Sequence, residues 1–194
     1  MSVAAVAATM QPPDEEYLTR FKRDVPFLGV IEYVDKSYQK VIGQRTFRSQ
    51  KPFTAGAGPT IELQGITLNL YGLSACPTSK NISVYIYNGP CSGAAPQYLN
   101  TELSLSPVLL CRVFESAANK RVQDATCFTL YKVLETEIVH NLEDALLKVG
   151  AVTLTRDKEG KPLRPDLIAA EEHAKRKQTL LWNPAALEVI GTAR

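Results

Sequence analysis

The chain has 194 residues, a hydrophobic share of 45% and 22 Lys and Arg against 20 Asp and Glu, for a formal net charge of +2 at pH 7. This length holds one domain with extensions, or at most two small domains, and the apolar share is enough for a real core. The near-balance of charge is too weak to argue for nucleic acid by itself, and no apolar run approaches the roughly 18 residues of a membrane span.

The first residues, Met1 to Gln11, are small and apolar, with no Arg and no basic leader region. They suit neither a secretory signal nor a mitochondrial presequence, and a removed presequence or internal import signal stays open. After Pro12 and Pro13, residues Asp14 to Asp24 allow one or two helical turns with Tyr17, Leu18 and Phe21 on one side. Residues 1–26 read as an arm, with two readings: a mobile extension, or a segment that packs on a neighbouring protein through those three side chains.

From Phe27 the pattern turns to strand. Phe27 to Val34 is apolar and β-branched, Asp35 to Ser37 make a turn, and Tyr38 to Ile42 read as a return strand. Residues 44–59 are rich in Gly, Ser, Thr and basic side chains and read as an inserted loop. Thr60 to Leu73 alternate well, with Gly65 as an irregularity. Ile82 to Tyr87 read as a further strand. Residues 88–106 hold three clusters of turn residues and read as a second insertion, with Leu103 and Leu105 on a possible edge strand. Val108 to Phe114 and Cys127 to Leu134 are the last strong strand candidates.

The stretch from Asn141 to Trp182 reads as helix, short strand, helix. Asn141 is a good N-cap, Glu143 and Asp144 place negative charge in the first turn, and Gly150 sits where a C-cap glycine belongs. Ala151 to Thr155 suit a short strand, and Lys158 to Arg164 a loop. Pro165 opens a second helix whose apolar positions are Leu167, Ala170, Ala174 and Leu181; Trp182 closes it, and Pro184 prevents its continuation.

This C-terminal pattern resembles that of the staphylococcal-nuclease-like (thermonuclease) family, on Asn141, Asp144, Ala145, Leu146, Gly150, Ala170, Glu171, Ala174, Lys175 and Trp182. The resemblance implies an α+β fold: a five-stranded OB-type β-barrel with helices at the C-terminal end, spanning residues 27–182, with loop insertions around 44–59 and 88–106 and a tail at 183–194. It also implies a site. Active members hydrolyse phosphodiesters with one Ca²⁺, two arginines and a glutamate: carboxylates hold the hard cation, a base reaches the water, and arginines stabilise the growing charge.

Matched to those motifs, each charged group is replaced except one. The first acidic position keeps Asp35, but Ser37 stands where the metal-binding aspartate belongs. In Asn69-Leu70-Tyr71-Gly72-Leu73-Ser74 the arginine has become Asn69 and the aspartate Ser74; Thr78 stands for the glutamate. The second arginine position reads Ala125, with Arg121 a few residues early. Neutral Ser, Asn and Thr oxygens do not hold Ca²⁺ as carboxylates do. The expectation is a fold that has lost its nuclease chemistry, with no metal and no cofactor. Another register would leave Arg112, Glu115 and Arg121 as a different site, against the simpler reading of all three as solvated.

The four cysteines, Cys76, Cys91, Cys111 and Cys127, lack zinc-ligand spacing; free, partly buried thiols in a reducing compartment are the expectation, with disulfides the alternative. His140 and His173 read as surface side chains, and Ala55 to Pro59 lack the lysine and helix of a phosphate-binding loop. Two binding roles follow. The first is an inactive accessory subunit held by other protein subunits of a large assembly, by analogy a mitochondrial one, with a cytoplasmic setting as the alternative. The second is single-stranded nucleic-acid binding through Lys40, Arg45, Arg48 and Lys51, with Tyr33, Tyr38, Phe47 and Phe53 as stacking partners.

Overall fold

Strand pairing begins where the sequence turns β-branched. In the computed structural model, which describes residues 13–14, 16–17, 20–21, 24–35, 40–77, 80–84, 87–133, 136–185 and 187–189, β1 (Phe27–Val34) pairs antiparallel with β2 (Val41–Ser49) on one side and parallel with β9 (Val108–Phe114) on the other. Seven of the eight strands in the main sheet run in the order β2-β1-β9-β10-β5-β4-β3, where β10 is Val122–Val133, β5 Ile66–Leu70, β4 Thr60–Leu63 and β3 Thr54–Ala55; β11 (Thr136–Asn141) pairs with β10. Three α-helices complete an α+β fold among the described residues: α1 (Ala94–Leu105), α2 (Leu142–Lys148) and α3 (Ile168–Lys177).

The α+β class agrees with the sequence reading, but the sheet is not a closed five-stranded ring. Its hydrogen-bonded order ends at β2 and β3 among the described residues. Those two ends are consecutive in the chain, separated only by residues 50–53, and the Gln64 side chain donates across to the Arg48 carbonyl at 3.1 Å.

Two stretches read as insertions are regular structure. Residues 41–49 form a nine-residue strand, because β1 supplies a paired register from Phe27↔Ser49 to Tyr33↔Gly43 and Phe47 drops into the core. Residues 94–105 form α1 rather than turns and an edge strand. Pro96 lies in the first helical turn, where its missing N–H leaves no bond unmade, and Ala95, Leu99 and Leu103 repeat at helical spacing into the core.

The C-terminal part follows its local signals. Asn141 caps α2 by accepting from the Asp144 N–H at 2.8 Å, and Gly150 takes φ +74° just beyond. Strand β12 (Val152–Leu154) pairs with β6 (Leu73–Ala75). A 3₁₀ turn, Pro165–Leu167, leads into α3, which stops at Gln178 in the left-handed conformation, before Trp182. Trp182 itself belongs to a 3₁₀ turn, Leu180–Trp182. Within the tail, β13 (Leu187–Val189) pairs with β7 (Lys80–Val84), which also pairs with β8 (Tyr87–Pro90).

The cysteines are not free. Cys76 bonds to Cys91, and Cys111 to Cys127, so among the described residues no thiol remains. Cys111 and Cys127 are directly opposite on β9 and β10, with Cα atoms 4.1 Å apart, the close approach of a pair without ladder hydrogen bonds. Both bridges lie within the main core.

Candidate functional site

Strands β5 and β10 run parallel, with Asp124 opposite Asn69 and Ala125 opposite Leu70. The backbone then turns at Tyr71 and Gly72, with Gly72 at φ +79°, and the Tyr71 N–H donates to the Ala125 carbonyl at 2.8 Å. This turn and its neighbours wall a cleft of about 360 Å³ lined by Thr60, Asn69, Tyr71, Asp124, Thr155 and Leu163, among others. The Asn69 side-chain amide donates to the Asp124 carboxylate at 3.3 Å, and the Ser74 and Thr155 hydroxyls are bonded at 2.7 Å.

The degenerate positions are thus partly brought together. Asn69 lines the cleft, Ser74 touches its wall through Thr155, and Ala125 is buried directly beside Asn69's strand. Asp35 stands apart at the end of β1, where its N–H donates to the Lys40 carbonyl at 3.1 Å; it is not among the cleft's lining residues. Ser37 and Thr78 lie outside the described residues. The charge on the cleft is one carboxylate, Asp124, already engaged by Asn69. Among its described lining residues, hydrogen-bonding groups outnumber charges, and none is an Arg or Lys. Among the described residues no group of three or more His, Cys, Asp or Glu is placed to hold a metal ion.

Behind the cleft lies a buried ionic network that the sequence reading missed. Arg164, expected in a loop, is fully buried. Its guanidinium donates to Asp166 at 2.9 and 2.7 Å and to the Thr126 hydroxyl at 3.2 Å. Its aliphatic stem lies against Gly72: a Cβ built there would fall 2.3 Å from Arg164 Cγ. Next to this, Glu143 of the α2 first turn is wholly buried and accepts from the Cys127 N–H at 3.1 Å. This bond serves β10 where β5 no longer pairs with it, so the carboxyl substitutes for a missing strand partner. Burial pushes the Glu143 carboxyl up to about 8, against the pull of the nearby Arg164 charge and the backbone N–H. The hint was available in Asp166, two residues after an arginine and one after a proline, but nothing local says that the arginine turns inward.

A second buried carboxylate, Glu171 of α3, accepts from the Leu154 N–H at 2.8 Å, Lys175 at 2.9 Å and Arg156 at 3.0 Å. Burial opposes its charge, but the Leu154 N–H and the two cations together hold its carboxyl below the ordinary range. The resemblance included Glu171 and Lys175; their structural role here is to tie α3 to β12.

The remaining expected residues separate. Arg112 donates to the buried Glu32 at 3.2 Å, whereas Glu115 and Arg121 have exposed side chains. His140 lies 3.6 Å from Glu102 on a second cleft of about 340 Å³, so it is packed against α1 rather than on open surface. The stacking aromatics proposed for nucleic acid are corrected by their burial: Phe47, Phe53 and Tyr33 are at most 8% exposed and belong to the core. Arg45 stacks over Phe47 at 5.2 Å, and Arg48 pairs with Asp24 at 3.1 Å. Lys40 and Lys51 are exposed, and Tyr38 lies outside the described residues. In the arm, Tyr17 and Phe21 are half-buried against the chain's own sheet, while Leu18 lies outside the described residues.

No protein-family model matches the sequence, and no curated protein is recognisably similar to it.

Proposed function

We propose that this chain is a non-catalytic, staphylococcal-nuclease-like domain that acts as an accessory subunit of a larger protein assembly. The observation that carries this reading is the cleft at the end of β5, where Asn69 binds Asp124 and Ser74 binds Thr155 at the positions that the resemblance gives to an arginine and a metal-binding aspartate. Polar pairs that satisfy one another hold the walls together, and among the described lining residues the one carboxylate, Asp124, is engaged by Asn69. The barrel reading draws support from the parallel β5–β10 pair, the antiparallel β9–β10 pair and the short chain link between the two ends of the sheet order.

Two buried disulfides favour an oxidising compartment over the cytosol. A mitochondrial placement stays the proposal, in a compartment that sustains such bonds. No described helix is long and apolar enough to cross a membrane. Single-stranded nucleic-acid binding has less support, because burial of Phe47 and Phe53 removes the stacking platform and leaves only exposed cations.

The test is native purification of the tagged chain from its own cells, with and without nuclease treatment. Migration in a large, nuclease-resistant particle supports the subunit reading. Collapse of that particle on nuclease treatment overturns it in favour of nucleic-acid binding. Added Ca²⁺ should leave the Tm unchanged; a rise of several degrees would mean that the native state holds the metal after all.

A further inference from the structure

Strands β4, β5 and β10 turn one face outward. Ile61, Leu63, Leu68, Leu70 and Ala125 are buried in the core. The alternate residues Thr60, Glu62, Thr67, Asn69, Val122 and Asp124 therefore lie on the solvent side, and none of them is buried. Strand pairing sets these six in two rows, Glu62–Thr67–Val122 and Thr60–Asn69–Asp124. The second row runs into the cleft of about 360 Å³, which Thr60, Asn69 and Asp124 line. Two of the six are carboxylates and none is basic. Arg164, buried behind Gly72, carries a charge that Asp166 already pairs.

Apolar surface is exposed beside these carboxylates. Val122 is 51% exposed, and Leu163, on the cleft wall with Tyr71, is 37% exposed. A group that covers such surface gains by removing it from water, and one that meets the carboxylates must be cationic. Lys and Arg do both, with an aliphatic stem below a charged head. An Arg guanidinium also stacks on an aromatic ring such as that of Tyr71. Asp124 has capacity for it: the Asn69 amide engages Oδ1 at 3.3 Å, and a carboxylate accepts at two oxygens. The two carboxylates are spaced for a chain. Two strand spacings across and two residues along put the Cα atoms of Glu62 and Asp124 about 12 Å apart. Two basic residues four apart in an extended peptide span about 13 Å and point the same way.

We propose that this cleft and the strand face beside it dock an extended, dibasic peptide segment of a partner subunit, with one cationic head on Asp124, its stem against Leu163, and the second head on Glu62. The proposal rests on the accessory-subunit reading and names the chemistry that the assembly presents to this chain. The occupant is argued from charge complementarity, since the same carboxylates repel a phosphate backbone.

The experiment titrates the full ¹⁵N-labelled chain, at low salt, with the capped peptide Gly-Arg-Ser-Val-Ser-Lys-Gly and follows amide shifts by NMR. The expected result is saturable movement of the Asn69, Tyr71, Asp124 and Leu163 amides, weakened by high salt. The acidic twin Gly-Glu-Ser-Val-Ser-Glu-Gly and a single-stranded oligonucleotide should leave them in place. Asp124→Asn keeps the size of the side chain and a contact with Asn69, and should raise the peptide Kd about fivefold or more. The double variant Glu62→Lys with Asp124→Lys should reverse the preference toward the acidic twin. The amide dispersion of each variant reports its folding. Absence of saturable movement at the cleft overturns the proposal. So does equal binding of the acidic twin or the oligonucleotide, or a Kd that Asp124→Asn leaves unchanged. These failures would leave a nuclease-resistant native particle intact as support for the subunit reading, whereas a chain that runs alone in its own cells would remove that reading whatever the peptide does.

Discussion

Glu143→Gln removes a titrating carboxyl and keeps its shape and its acceptor oxygen. Glu143 is fully buried, accepts from the Cys127 N–H and titrates near 8 in the folded chain, against an ordinary value of 4.5. The folded-state value is raised, so stability is fully present below pH 4.5 and is lost as pH rises toward 8. In that window the native state holds one proton that the unfolded state has released. The wild-type stability should therefore fall, relative to the Gln variant, by about 1.4 kcal/mol per pH unit, or roughly 5 kcal/mol over the whole window. Urea unfolding at pH 5, 6, 7 and 8 measures this, and the difference between the two proteins cancels the carboxylates and histidines that they share. Arg164→Met gives a second check: it removes the charge that pulls the Glu143 value down, so the decline should extend above pH 8. A flat difference curve, or one in which wild type gains stability as pH rises, refutes the desolvation argument.

Four other outcomes follow from the geometry. Gly72→Ala should cost about 2 kcal/mol for the left-handed backbone alone, and more because the new Cβ meets Arg164 Cγ; a Tm within a degree of wild type would contradict the placement of Arg164. Replacing Cys76 and Cys91 together by Ala opens a bridge of sequence separation 15 and should cost about 3 kcal/mol, read by urea unfolding under non-reducing conditions. Tyr17, raised to about 12 first by burial and then by its bond to Glu32, should ionise after the exposed tyrosines in a spectrophotometric titration. Its contribution is present below pH 10 and lost as pH rises toward 12, and Tyr17→Phe should abolish that late step. Glu171→Gln should be less stable than wild type at neutral pH and converge with it as pH falls below the ordinary carboxylate range, because the lowered value means stability present above that range and lost in acid; urea unfolding from pH 7 down to pH 3 reads the closing gap.

Local pattern determined much of this protein. The β-branched run Phe27 to Val34, the cap at Asn141, the acidic first turn of α2 and the left-handed Gly150 were legible because each answers to its neighbours in sequence. The cleft was legible in part: Asn69 lines it, the β5–β10 register sets Ala125 opposite the neighbouring Leu70, and Ser74 reaches its wall through Thr155 because β6 pairs with β12, whereas Asp35 remains outside. What tertiary structure alone decided is of another kind. Residues 41–49 are polar and became a strand because β1 offered an unpaired edge. Residues 94–105 became helix because Leu99 and Leu103 had a core to fill, whatever their Gly and Pro neighbours suggested. Cys111 and Cys127 were disulfide partners only once β9 and β10 lay side by side. Arg164, charged and adjacent to a proline, reads as solvent-facing in any window of sequence. It turned inward because Asp166, Thr126 and the bare backbone at Gly72 together matched a planar cation, and those groups meet only after the chain has folded.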